Sequence, residues 1–168
     1  MSRIYNTWRV KKSTIHGNGV VAAKNINKNE KIIQYIGEKI TKSEGDKRSE
    51  QRIKKYLNSN KTGSVYIFEL NKKYDIDGTP YYNKARYINH SCDPNCEVEI
   101  IKNEIWICSI KKIRKGDELT YDYGYEFDKD DFRDHVCKCG SKNCIGFIIS
   151  SDDWPKYLKY LQKIISNK

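Results

Sequence analysis

Nothing in this chain approaches the length of a membrane span; its apolar runs are short. It does not open on an apolar leader either, because Met1-Ser-Arg-Ile-Tyr turns polar at once. These absences predict a soluble protein that stays in the intracellular compartment where it is made. Also missing are internal repeats, low-complexity tracts, an obvious linker and the strand-then-Gly-x-Gly-x-x-Gly pattern of a dinucleotide site. The lone Gly17-Asn18-Gly19 permits a tight turn and close approach of backbone to a ligand, but an ordinary hairpin turn needs no more. Apolar residues are scarce, at 38% against 32% charged. At 168 residues the chain reads as one domain with a small core and much loop, a fold that a metal staple would help.

What is present is thiol and charge. With no export leader, six clustered cysteines suit a reducing compartment, where they hold metal more often than disulfides. Cys137-x-Cys139-x4-Cys144 offers three thiols at chelate spacing. The run Arg86 to Cys96 packs an amide, an imidazole and a thiol into Asn89, His90 and Cys92. If Cys92 joins the late trio, the four thiolates close a structural zinc shell and draw Asn89 and His90 beside the C-terminal tail. Cys96 and Cys108 lie in strand-like segments and read as small buried hydrophobes. The net charge of +10 fits a solvated lysine surface or contact with nucleic acid. Its spread, from Lys42, Lys47, Arg48, Arg52, Lys54 and Lys55 to Lys156, Lys159 and Lys163, slightly favours the first. The acidic stretch Glu126–Asp134 reads equally as a hydrated loop or a receiver for a cationic peptide.

Short strands dominate. Val20–Ala23, Lys31–Tyr35, Val65–Leu70 and Leu119–Tyr123 have strand composition, and Val98–Ile101 with Ile105–Cys108 form a hairpin across Lys102-Asn103. Asp77-Gly78 marks a turn. Thr41-x-x-Glu44 fits a capping box that opens a polar helix to about Leu57, with a thin apolar face of Ile53, Tyr56 and Leu57. A second helix follows a cap at Ser151 or Asp152, with Pro155 in its first turn. Its stripe of Trp154, Tyr157, Leu158, Leu161, Ile164 and Ile165 is read as core-facing.

Six motifs in order carry a resemblance. They are Ile15-His16-Gly17-Asn18-Gly19-Val20, Tyr35-Ile-Gly37-Glu38, Tyr66-Ile-Phe-Glu-Leu70, and Ile76-Asp77-Gly78-Thr79 running on to Asn83–Cys92. Glu118-Leu-Thr-Tyr121-Asp122-Tyr123 and Cys137-x-Cys139-x4-Cys144 complete the set. From Ser13 to Phe147 the chain resembles SET-domain protein lysine methyltransferases with a post-SET zinc tail. The resemblance implies a mainly β fold with peripheral helices: a β-clip of small curved sheets, a threaded (pseudoknot) active site and a C-terminal helix. It divides the chain into an N-terminal extension (1–12), a SET domain (13–125, with a helical insert at about 41–64), a post-SET zinc segment (126–149) and the C-terminal helix (150–168).

The implied reaction moves a methyl group from S-adenosylmethionine to a lysine amine, with mono- or dimethylation favoured because Tyr121 stands where the family carries Phe or Tyr. By the same resemblance Tyr123 is the catalytic tyrosine, and Tyr35 and Tyr121 line the lysine channel. His16, Gly17, Asn18, Gly19, Tyr66, Arg86, Asn89, His90 and Lys138 are implied cofactor contacts. Cys92, Cys137, Cys139 and Cys144 are implied to hold one structural zinc, and Phe147 and Trp154 are expected to pack over the channel wall. Departures are Tyr82, where the family usually has Gly and a bulky residue is expected to alter the cofactor pocket or the turn, and Tyr87 in place of Phe. The expected partner is a basic protein, a histone tail by analogy, with chromatin or DNA contact through the basic surface and no membrane. The expected location is nuclear in a eukaryote, or a host nucleus for a microbial protein. Two other classes stay open: a catalytically silent SET-like interaction module, and a basic zinc-containing nucleic-acid binder.

Overall fold

Four small sheets, none wider than three strands, account for most of the regular structure. In the computed structural model, residues 7–57 and 66–166 are described. Strands β1 (Trp8–Lys12) and β2 (Asn18–Ala22) pair antiparallel from Trp8 opposite Ala22 to Lys12 opposite Asn18. β1 falls in the segment expected to be a mere extension. Its side chains are mostly polar and exposed, which hid it, yet Trp8 packs against the main core.

Strand β3 (Lys31–Tyr35) lies beside the hairpin of β8 (Cys96–Ile101) and β9 (Glu104–Ser109), with β9 central. Lys102 and Asn103 both take positive φ, 51° and 63°, so the hairpin turns as the sequence predicts. The third sheet holds β4 (Glu38–Thr41), β6 (Tyr74–Asp77) and β5 (Ile67–Glu69), with β6 central. β5 is shorter than the predicted Val65–Leu70, and Val65 lies outside the described residues. The smallest sheet pairs β7 (Asn89–His90) with β10 (Thr120–Tyr121) in parallel.

These sheets enclose one core in which Val20, Ile26, Ile88, Ile105, Ile107, Ile113 and Leu119 are fully buried. Cys96 and Cys108 are buried and free, as small hydrophobes would be. Helix α1 (Lys42–Leu57) begins where the Glu44 amide donates to Thr41 Oγ1 at 3.3 Å. The reciprocal half of the box is replaced, because the Glu44 carboxylate accepts from Arg48 instead. Arg48 and Arg52 also reach the buried Asp77 of β6, tying the helical insert to the sheet. The two guanidiniums and Thr79 hold the Asp77 carboxyl well below the usual range against the opposing effect of burial.

Helix α2 (Trp154–Ser166) enters through a 3-10 turn over Ser151–Asp153. Neither Ser151 nor Asp152 caps it, contrary to expectation: the turn occupies the place of the cap. The Ser151 amide instead donates to Asp122, and the Asp153 carboxylate accepts from the Phe127 amide. α2 covers a second, smaller core of Phe127, Phe132, Ile149 and Tyr157, with Phe147, Trp154 and Leu161 packed against it. Only part of its apolar stripe is used, since Leu158 is 50% exposed and Ile165 74%.

Gly78 follows β6 at a close approach. A Cβ there would meet the Tyr35 ring and the Asn83 amide. Gly78→Ala is therefore expected to cost about 3 kcal/mol through overpacking, read as a lower denaturant midpoint. An unchanged midpoint would show that Tyr35 yields freely. Tyr82 closes a turn in which the Asn83 amide donates to the Pro80 carbonyl at 3.0 Å. Its φ is not positive, so the turn needs no glycine. The side chain is 51% exposed, edge-on to Tyr81 and outside the tyrosine-lined cavity described below.

Candidate active site and thiol cluster

The parallel pair β7–β10 brings Asn89–His90 beside Thr120–Tyr121, segments far apart in sequence. Ser91 and Asn95 extend the contact through amides donated to the Tyr121 and Thr120 carbonyls. Three tyrosines at alternate positions, Tyr121, Tyr123 and Tyr125, then follow along β10 and its continuation, with ring centroids 5.1 and 5.8 Å apart. Tyr35 from β3 and Phe68 from β5 complete an aromatic wall, their rings 4.4 Å apart. Together with Tyr66 and Arg86 these side chains line a cavity of about 200 Å³.

Two of the phenols are held by backbone carbonyls. Tyr35 donates to the Tyr66 carbonyl at 3.0 Å, and Tyr123 to the Ile88 carbonyl at 3.1 Å. Burial raises the pKa of Tyr35, Tyr121, Tyr123 and Tyr125. All four are neutral hydrogen-bonding groups at physiological pH, and none supplies a phenolate base. Arg86 stacks on the Tyr66 ring at 4.0 Å and donates to the Thr79 carbonyl. Its Nε is buried without a hydrogen-bond partner, the single such side-chain atom found among the described residues. A buried donor left open beside a cavity fits a polar ligand.

Asn89 works a few residues away. Its amide reaches Ser13 Oγ, the His16 and Asn18 carbonyls and Glu118 Oε1, at 2.7 to 3.2 Å. Glu118 in turn accepts from Ser13 Oγ at 2.8 Å. The side chains of Asn89 and Glu118 thus clip the 13–18 loop to the β7–β10 pair. A Cβ at Gly19 would press on the Glu118 carboxylate and disturb the clip, whereas Gly17 takes φ +53° at the exposed loop tip. His90 is 3% exposed. Its Nδ1 accepts the Tyr123 amide at 3.2 Å, and its Nε2 lies 3.6 Å from Cys92 Sγ. Desolvation lowers its pKa against the pull of Asp122, favouring the neutral ring that this bond needs. The imidazole therefore joins the tyrosine strand to the thiol cluster.

Cys92, Cys137, Cys139 and Cys144 place their sulfurs within 4.8 Å of one another. Cys92 Sγ lies 3.8 Å from Cys137 Sγ and 3.9 Å from Cys144 Sγ. A tetrahedron with zinc–sulfur bonds of about 2.3 Å has sulfur–sulfur edges of about 3.8 Å, so the donor set fits zinc. Burial pushes the Cys92 thiol up to about 11 and raises Cys137 as well; without a cation these two sulfurs keep their protons. Among the described residues no cysteine is in a disulfide.

The expected site residues fall into three groups. Tyr35, Tyr66, Arg86, Tyr121 and Tyr123 line the cavity; His16, Asn18 and Asn89 meet at the clipped loop; the four cysteines converge. Lys138 is exposed between two thiols. Phe147 and Trp154 do not reach the cavity wall, because both are drawn into the second core. Tyr125, Phe68, Ser13 and Glu118 were not singled out from sequence. The two-residue alternation from Tyr121 to Tyr125 is the signal that finds Tyr125. No local pattern pairs Ser13 with a carboxylate 105 positions away.

The family model of the SET domain matches residues 17–124, and the chain belongs to the SET-domain family. It is 42% identical over 141 residues to a Saccharomyces cerevisiae protein named histone-lysine N-methyltransferase, H3 lysine-4 specific, covering 82% of this chain and 13% of that one. An Aspergillus oryzae protein of the same name is 40% identical over 144 residues, 83% of this chain and 11% of the relative. Human histone-lysine N-methyltransferase 2D is 38% identical over 150 residues, 84% of this chain and 3% of the relative. The chain thus spans about an eighth or less of the length of these curated relatives.

Proposed function

We propose that this chain is a protein-lysine N-methyltransferase that uses S-adenosylmethionine to mono- or dimethylate a lysine of a histone tail, working on chromatin in a nucleus. The single observation that carries the reading is the neutral tyrosine cavity set against the clipped Asn89 loop and the four-sulfur cluster. The names of the relatives point to the histone substrate.

Bound S-adenosylmethionine supplies a methyl group on a positively charged sulfur, already a good leaving group. Asn89 and His90, with the backbone of His16, Gly17, Asn18 and Gly19 and with Tyr66, Arg86 and Lys138, would hold it. The protein's own work is alignment and desolvation. A free lysine has a pKa of about 10.4 and must lose its proton before it can attack. The aromatic walls Tyr35, Phe68 and Tyr121 shed water from the amine, and the Arg86 guanidinium opposes a second cation. Tyr123, which lines the cavity, would serve as the catalytic tyrosine. The exposed carboxylates that follow Tyr125, from Glu126 to Asp134, suit an incoming basic peptide. One zinc held by Cys92, Cys137, Cys139 and Cys144 would be structural, since four thiolates leave no open position.

Labelled methyl transfer from S-adenosylmethionine to mixed core histones tests the reading; no transfer from a zinc-loaded, cofactor-binding protein would return it to a silent interaction module. Product level is a finer test. The Tyr121 hydroxyl narrows the cavity, so Tyr121→Phe is expected to shift the main product up by at least one methyl group in mass spectrometry. Efficient trimethylation by the unaltered chain would contradict this.

A further inference from the structure

A second concavity lies away from the tyrosine cavity, between α2 and the segment that leads into the acidic stretch. It is a groove of about 500 Å³ floored by Phe127 and Tyr160 and rimmed by Lys129, Lys156, Lys159 and Lys163. The positions 156, 159 and 163 are spaced three and four apart, which puts three ammonium groups on one side of α2. Lys156 is partly committed: it donates to the Phe127 carbonyl at 3.0 Å and stands 3.7 Å from Asp153. Lys129, Lys159 and Lys163 have no ion pair or hydrogen bond among the described residues. Some lysines elsewhere meet carboxylates, as Lys42 does with Glu69 and Asp75, and Lys111 with Asp93; what sets the groove apart is that its lysines stand together around one concavity. Two carboxylates, Asp128 in the lining and Asp153 beside Lys156, stand among four lysines here. Such a cluster offers several contacts at once to an anion that is extended and multiply charged.

We infer that this groove docks the phosphate backbone of duplex DNA. Lysines are mobile point charges suited to sequence-independent phosphate contact. The aromatic floor offers little to single strands: Phe127 is buried against Phe132 and Tyr157, which leaves Tyr160 as the one partly exposed ring in the groove, where strand-tracking sites stack several bases in succession. The choice of DNA over other polyanions rests on the proposed work on histones, whose tails are presented beside DNA. The groove would anchor the enzyme on the particle while the tyrosine cavity receives the tail.

The test uses the full, zinc-loaded chain and a fluorescent 25-base-pair duplex, with anisotropy read across a salt series. The triple variant Lys129→Gln, Lys159→Gln, Lys163→Gln should weaken binding about tenfold at 100 mM salt and reduce the slope of log K against log salt by about 3. A control triple with the same net charge, Lys24→Gln, Lys28→Gln, Lys112→Gln, should leave both close to the unaltered values. Methylation of a free histone peptide should be unchanged in the groove variant, whereas methylation of the same tail on nucleosomes should fall. Equal weakening in both triples, or displacement by polyglutamate at concentrations below those of competing DNA, overturns the assignment. Loss of peptide methylation in the unaltered chain would strike the proposed enzyme activity and leave the DNA measurement standing.

Discussion

Cys92→Ser, or stripping of the metal with a strong chelator, is expected to abolish methyl transfer and to free residues 126–166 from the rest of the molecule. Four sulfurs from two distant segments meet at one point, and no disulfide shares the task. The tail's own means are small. Its core holds four buried side chains, Phe127, Phe132, Ile149 and Tyr157, at about 2 kcal/mol each before the entropy of ordering the segment is subtracted. Structural zinc in small domains contributes about 10–16 kcal/mol, so such an ion would decide whether the tail is ordered. The effect reaches the cavity through His90, whose ring lies between Cys92 Sγ and the Tyr123 amide. One zinc per chain by elemental analysis, and rapid amide exchange over 126–149 after chelation, are the expected readings. A metal-free chain that keeps its rate and its protected tail would refute the assignment.

Tyr123→Phe is expected to lower kcat by at least about 100-fold, a loss typical of removing one oriented polar group from a reacting centre. The hydroxyl is positioned by the Ile88 carbonyl, the ring by Tyr121 and Tyr125 on either side. Its pKa is raised by burial, so the group acts as a fixed neutral dipole and the loss should not vary with pH between 6 and 9. The variant also leaves a buried carbonyl without this donor, at a stability cost of about 1 kcal/mol. Melting curves recorded beside the kinetics separate the two effects. A variant as active as the unaltered chain would remove Tyr123 from the chemistry.

Much of this was legible in sequence because it is local. The β8–β9 hairpin is written in apolar runs around Lys102-Asn103, and α1 in a capping Thr followed by a polar helix. The late thiol trio has chelate spacing, and its closure by Cys92 was readable once the flanking motifs were in order. What escaped lacks a local signature. β1 is a strand because β2 needs a partner, not because Arg9, Lys11 and Lys12 favour one. β4 and β6 are four residues each, too short for a period to show. The cap of α2 was misplaced because Asp122 and Phe127, distant in sequence, claim the groups at its start. The Ser13–Glu118 clip is likewise a product of the fold.

The parallel ladder between Asn89–His90 and Thr120–Tyr121 is only two residues long and joins stretches 31 positions apart. Chain-closure entropy must be met before so short a ladder returns anything. The hairpin of β8 and β9, which lies between those stretches, brings them within reach, and its local contacts are expected to form first. On that expectation assembly would run outward from a quickly made hairpin to a late crossing of β7 and β10. A newly synthesised chain would pass through a stage with a largely formed core and no working centre.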